Sequence, residues 1–291
     1  MAVLVLGNFI AWMGLYVLRN SDVYKPSYMI RNISKEIPFD YIIVGSSTGL
    51  TGLNTNVIDS IAKTNGFNIS LDGVGPAGQY MMLQHFFKNG FKTRKVILSL
   101  DNHTVRDSSI EQSNLNEYYF IPWISKDYIY ACFVKKDGKL LKTNAYTKYC
   151  PLLGFSYYNQ QFLGSILWAL KDSRQRYHFD AKGNKFYNFG HFRPDKDGVK
   201  YFSDTLSVLN PYIRKMEKLC CEQGVQLIYF LHPEWQRDAV VTDSVNYLVL
   251  NFRNFFNNSP EYFYDNIHVN VNGQYLLSEK VGSMFLNDPL K

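Results

Sequence analysis

Residues 41–52, YIIVGSSTGLTG, narrow the folds open to this chain more than any other stretch. Tyr41, Ile42, Ile43 and Val44 are apolar on both faces, the pattern of a short strand buried within a parallel sheet. The run breaks at Gly45 into Ser46, Ser47, Thr48 and Gly49, ahead of a helix expected from Asn54. Such a turn sets hydroxyls and backbone N–H groups at the carboxyl edge of the sheet, where open α/β sheets bind ligands. Three readings fit it. Gly45 and Gly49 match a nucleotide fingerprint, but Thr51 stands where the third glycine belongs, and no lysine follows to make a P-loop. The second reading is a serine nucleophile on a strand-to-helix turn. The third is a tight turn with a capping serine.

A second stretch, residues 264–273, reads YDNIHVNVNG. Asp265 and His268 lie three apart, between an apolar strand expected at 262–264 and a final helix. At that spacing a carboxylate can hold one imidazole nitrogen and turn the other toward a serine. Gly-Ser-Ser after the first strand, with Asp-x-x-His-x-x-x-x-Gly before the last helix, resembles the SGNH (GDSL-like) hydrolase family. In that resemblance Gly45-Ser46-Ser47 takes the place of Gly-Asp-Ser. The nucleophile then falls on Ser47, and Asp265 and His268 complete a triad.

The intervening chain supplies the rest of an α/β pattern. Residues 54–63 read as a packing helix, 67–71 as a second strand, 79–87 as a helix and 94–101 as a third strand. Residues 203–223 read as a helix and 225–231 as a further buried strand. The fold expected is a three-layer α/β/α doubly wound, mostly parallel sheet of about five strands, SGNH-hydrolase or flavodoxin-like in type. Domain 39–291 carries an aromatic-rich insertion at 103–202, with a helix at 160–170 and a hairpin at 177–187. The insertion's aromatics are read as its own small core or, at 123–130 and 155–158, as a cover over the carboxyl edge.

The resemblance also implies oxyanion donors. Asn68 and Gly73 have the spacing of the family's second motif, which selects the Gly73 N–H over Gly75, beside that of Ser47. The third motif is represented only by Leu100-Asp101-Asn102-His103. Its glycine is missing and its asparagine is displaced by one, so Asn102 is either a side-chain donor or a plain loop residue. His232, at the end of the 225–231 strand, is read as a rim residue.

Residues 1–18 contain no charge. As a helix they would span roughly 27 Å, close to the hydrocarbon thickness of a bilayer, with Trp12 and Tyr16 suited to an interfacial belt. An uncleaved anchor is expected over a signal peptide or a buried core helix, followed by a linker at 19–38 containing Pro26 and Pro38. Arg19, Lys25, Arg31 and Lys35 all follow the segment and by themselves would keep the body in the cytoplasm, whereas the resemblance implies the periplasm or cell surface.

The net charge of +6 is modest and its Lys and Arg residues are scattered, which suits anionic surfaces or glycans and gives no nucleic-acid signature. No cofactor motif and no metal spacing occur. Cys132 and Cys150 are a possible disulfide pair, and of adjacent Cys220 and Cys221 at least one is expected to be an apolar filler. The function implied by the resemblance is a serine-dependent O-acyl esterase or O-acyltransferase on cell-envelope polysaccharide. Its substrate would be an acylated glycan or activated ester, and its partner a membrane-bound O-acyltransferase. The competing expectation is a non-catalytic, membrane-tethered protein that keeps the fold and binds glycan or a partner.

Overall fold

Five parallel strands form the central sheet of this computed structural model, which describes residues 2–101, 116–135, 145–188, 192–193, 202–206, 210–241 and 247–286. The strands are β1 (Phe39–Val44), β2 (Gly66–Asn68), β3 (Thr93–Leu100), β5 (Gln226–Leu231) and β7 (Leu248–Asn251), in spatial order β2-β1-β3-β5-β7. Counted within this sheet alone that is 2-1-3-4-5, a doubly wound order whose switch point lies between β1 and β3. Strands β4 (Phe202–Leu206) and β6 (Arg237–Val241) pair in parallel as a separate two-stranded sheet.

The apolar runs are buried on both faces, so alternate side chains feed two cores. Ile42, Val44, Val96, Leu98, Leu227 and Tyr229 face one layer, which holds α5 (Pro76–Lys88) and α9 (Pro211–Glu222). Tyr41, Ile43, Ile97, Ile228 and Phe230 face the other, which holds α4 (Thr55–Ala62) and α10 (Val271–Leu286). Each fully buried Ile, Leu or Val contributes about 1.5–3 kcal/mol, so the alternation fixes which helix covers which face.

Three expectations are corrected. Residues 203–223 are not one helix: Phe202–Leu206 is a strand, and the helix begins only at Pro211. Pro211 supplies no N–H and fits the first helical turn, while Asn210 Oδ1 caps it by accepting from the Tyr212 N–H at 2.9 Å. The fifth strand is Leu248–Asn251 rather than 262–264, where a short 3₁₀ turn, Pro260–Tyr262, leads into a single antiparallel bridge from Phe263 to Val269. Residues 177–187 form no hairpin strands. Asp180 instead collects the N–H groups of Lys182 and Asn184, each at 2.8 Å, and the segment runs on beside residues 47–52 through Lys185 N–H to Leu50 O at 3.2 Å.

The N-terminal region is helical, as α1 (Ala2–Arg19). Residues 19–38 are packed rather than a free linker. They contain α2 (Lys25–Asn32), and Val23, Tyr24, Tyr28 and Met29 are buried in the first core. Of the insertion, the described part consists of a 3₁₀ segment Glu117–Trp123, then α6 (Asp127–Lys135), α7 (Pro151–Tyr157) and α8 (Asn159–Lys171). Tyr118, Tyr119, Phe120, Trp123, Tyr158 and Phe162 are buried among these elements, α1 and α2. Of the aromatics at 123–130 and 155–158, Trp123 and Tyr158 are buried, Trp123 Nε1 donating to Ser27 Oγ of α2; Phe155 meets Gly14 of α1, Tyr128 bonds His85 of α5, and Tyr157 is exposed. All four cysteines are free thiols, so Cys132 and Cys150 are not bridged, and Cys220 is the buried member of its pair.

Candidate active site

Strand β1 ends at Val44, and Ser47 opens a six-residue helix, α3 (Ser47–Gly52). As its first residue, Ser47 presents an N–H that has no partner within the helix. The turn sits low on the sheet because Gly45 and Gly49 have no side chains. A Cβ on Gly45 would lie 2.9 Å from Ser99 Cβ, and one on Gly49 would lie 2.8 Å from Ser70 Oγ. That close approach requires glycine at both positions.

The second component comes from the loop before α10. Asp265 Oδ1 accepts the N–H groups of Ile267 at 2.9 Å and His268 at 2.8 Å, which curls the loop back on itself. The same carboxylate meets His268 Nδ1 at 3.0 and 2.9 Å. Behind it, Asn270 Oδ1 caps α10 at the Asn272 and Gly273 N–H groups while its Nδ2 donates to Glu261 O at 2.7 Å. His268 Nε2 then lies 2.9 Å from Ser47 Oγ, across 221 residues of sequence. With Nδ1 protonated toward Asp265, Nε2 is the acceptor for the serine proton.

Burial pushes the Asp265 carboxyl upward, but the His268 ring and the two loop N–H groups outweigh it and hold the pKa below the ordinary value. The carboxylate is therefore ionised at neutral pH and suited to stabilising an imidazolium. Tyr187 packs edge-on to the His268 ring at 5.3 Å and stacks on Tyr264 at 4.5 Å, so an aromatic of the insertion does border the site, though not one expected to.

Ser46 points elsewhere. Its hydroxyl donates to Asp101 Oδ2 at 2.8 Å and lies 3.1 Å from Thr48 Oγ1. Asp101, at the carboxyl end of β3, is in turn near the buried Arg253, which pairs with Glu234 and reaches Leu100 O at 3.4 Å. Burial lowers the Arg253 pKa against the opposing charges of Glu234 and Asp101. A buried ion pair thus anchors the floor beneath the serine turn, an arrangement that loses several kcal/mol if one partner alone is removed. Sequence reasoning missed Asp101, Asn270 and Tyr187. Asn270 carried a readable cap signal before the last helix, and Asp101 lay at a strand's carboxyl end.

Gly73 has a left-handed φ of +60°, and a Cβ there would run into the Asn116 side chain, so the position demands glycine. Asn68 does not face the site: it is buried, donating to Gly49 O at 3.0 Å and accepting from Ser70 N at 3.0 Å, and so ties α3 to the chain after β2. Asn102 lies outside the described residues.

His232 is not a rim residue. It is wholly buried under α3 against Gly52, neither ring nitrogen has a side-chain hydrogen-bond partner, and burial, with the charges of His268 and Arg253, lowers its pKa to about 3. Among the described residues no group of three or more His, Cys, Asp or Glu side chains is placed to hold a metal ion. The chain matches no protein-family model and no curated protein, so its functional reading rests on the motifs and on this geometry.

Proposed function

We propose that the chain is a membrane-anchored serine acyl-transfer enzyme, an O-acyl esterase or O-acyltransferase acting on cell-envelope polysaccharide. The observation that carries the reading is the continuous relay Ser47 Oγ, His268 Nε2, His268 Nδ1 and Asp265 at 2.9 Å steps. His268 takes the Ser47 proton as Oγ attacks an ester carbonyl, and the Asp265 carboxylate stabilises the imidazolium. The Ser47 and Gly73 N–H groups are assigned to the oxyanion, each such donor being worth roughly 3 kcal/mol of barrier. Collapse expels the alcohol, which takes the proton back from His268 and leaves an acyl-serine. Water or a sugar hydroxyl then resolves it by the reverse steps.

The polysaccharide, the extracytoplasmic placement and the membrane-bound O-acyltransferase partner rest on the motif resemblance. The anchor rests on α1, whose 18 residues have a mean hydropathy of 1.6 and a length sufficient to cross a bilayer. Treatment with a fluorophosphonate probe followed by peptide mapping tests the chemistry. Adduct on Ser47, lost in His268→Ala, is expected. No adduct on a folded protein would favour a non-catalytic binding protein.

A further inference from the structure

The insertion carries an apolar surface that the active site does not use. Residues 149–170 contain no Asp, Glu, Lys or Arg and are bounded by Lys148 and Lys171, much as the uncharged residues 1–18 end at Arg19. Within this run α8 is apolar on two faces. Phe162, Ser165 and Ala169 are buried in the body, yet Leu163, Leu167 and Leu170 are 57, 66 and 67% exposed. At about 100° per residue those three leucines fall within an arc of roughly 60°. That arc adjoins Ile166, the residue through which α8 touches α1. A contiguous exposed apolar face of this kind marks a surface that meets a partner or a membrane.

The position of α8 along α1 identifies the cover. A Cβ on Gly14 would lie 2.6 Å from Phe155 and 2.8 Å from Ile166, so α7 and α8 are seated against the C-terminal half of α1. Nearer the other end, Leu152 N–H donates to Asn8 Oδ1 at 3.2 Å. Gly14 lies between Trp12 and Tyr16, whose rings stack at 5.9 Å, and the Arg19 guanidinium lies 5.6 Å from the Tyr16 ring. An aromatic pair followed by a cation marks where a spanning helix leaves hydrocarbon for headgroups. Val3, Leu4, Val5, Leu6, Phe9 and Ile10 of α1 are exposed. The leucine face of α8 is thus continuous with the span and held at its interfacial level.

We infer that α8 is a second membrane-contacting element, its Leu163, Leu167 and Leu170 face inserted in the interfacial layer of the lipid bilayer beside α1. Lys171 ends the run where anionic headgroups would lie, whereas Lys148 is held by Asp127 at 3.4 Å. This fixes the orientation of the body: it is clamped to the membrane by two helices rather than tethered on a free linker. The inference rests on the proposed anchor and is independent of the chemistry at Ser47.

Site-directed spin labelling of the full chain tests it. Leu163→Cys, Leu167→Cys and Leu170→Cys are labelled in a Cys150→Ser, Cys221→Ser background and reconstituted in phosphatidylcholine and phosphatidylglycerol vesicles. Leu4→Cys on α1 and Glu279→Cys on the exposed face of α10 serve as controls. At the three α8 sites the ratio of accessibility to oxygen over a water-soluble nickel chelate is expected to exceed that at 279 at least threefold, approaching the ratio at 4. A ratio at all three sites equal to that at 279, with position 4 in lipid, overturns the inference and leaves the anchor standing. Water at position 4 overturns both. Protection from both reagents at the α8 sites overturns a lipid occupant and shows a protein covering the face.

Discussion

Ser46 and Ser47 are chemically identical neighbours with different environments, Ser46 bonded to Asp101 and Ser47 to His268, and the proposed roles follow from that difference. Ser47→Ala is expected to abolish turnover of an aryl acetate while changing stability by no more than about 1 kcal/mol, since it removes one half-exposed hydrogen bond. Ser46→Ala removes the donor to Asp101 beneath the turn. It should retain activity well above the Ser47 variant while costing about 1–2 kcal/mol in denaturant titration. The reverse order of activities would move the nucleophile to Ser46. Asp265→Asn should lower kcat by about 10³–10⁴, the loss expected when the imidazole tautomer is no longer held. Because the Asp265 pKa is depressed on folding, its contribution to stability is present above the unfolded carboxyl value and fades as pH falls through the folded one. The gap in Tm between wild type and Asp265→Asn should therefore close in acid. His85 and His232 act over a different window. Burial lowers both to about 3, so the unfolded chain takes up protons that the native state refuses as pH falls below about 6.5. Unfolding titrations should show stability declining from pH 6.5 toward 3, with His232→Phe flattening part of that slope; an unchanged slope would mean that His232 is solvated.

At the scale of elements, α1 is both a candidate span and part of the body's packing. Ala11, Gly14, Leu15 and Leu18 are buried against the insertion, so removing residues 1–18 uncovers Leu152, Phe155 and Ile166. A truncated chain should lose its carbonate-resistant insertion, melt lower and self-associate, whereas a free tether could be cut away without effect on stability. Gly14→Leu is the sharper probe. Its side chain would collide with Phe155 and Ile166, and overpacking of this kind costs about 1–3 kcal/mol. Thermal melts of the membrane-reconstituted variant read the loss directly, and an unaltered Tm would show that α1 is not seated on α7 and α8.

For the whole molecule, the chemistry proposed above leaves a choice between esterase and transferase that depends on what would reach an acyl-serine. The insertion packs mainly around α1 and α2, away from His268, and among the described residues Tyr187 is its aromatic on the imidazole. Loading with an activated acetyl donor, followed by mass spectrometry of free acetate and acylated acceptor, separates the two reactions. Acceptor glycan is expected to accelerate breakdown of the acyl-enzyme, and Tyr187→Ala to raise the share lost to water. Free acetate alone, unaffected by that variant, would identify a plain esterase.

Local order along the chain determined the β-α alternation, the uncharged N-terminal helix and the two segments that carry Ser47, Asp265 and His268. Each is a short-range property: apolar runs such as 41–44 and 225–231, glycines that permit a low turn, and an Asp three residues before a His. Residues 248–251, LVLN, were too short to announce a strand, and they become one by pairing with β5. Residues 203–206 resembled the start of a helix until a parallel partner at 237–241 competed for their backbone hydrogen bonds. The same limit holds at the site. Sequence spacing can put a carboxylate beside an imidazole within one loop, but only the sheet brings that loop to Ser47, 221 residues away, and turns Ser46 aside to Asp101. Long-range contacts are chosen by which faces can be buried together, and that choice belongs to the folded chain as a whole.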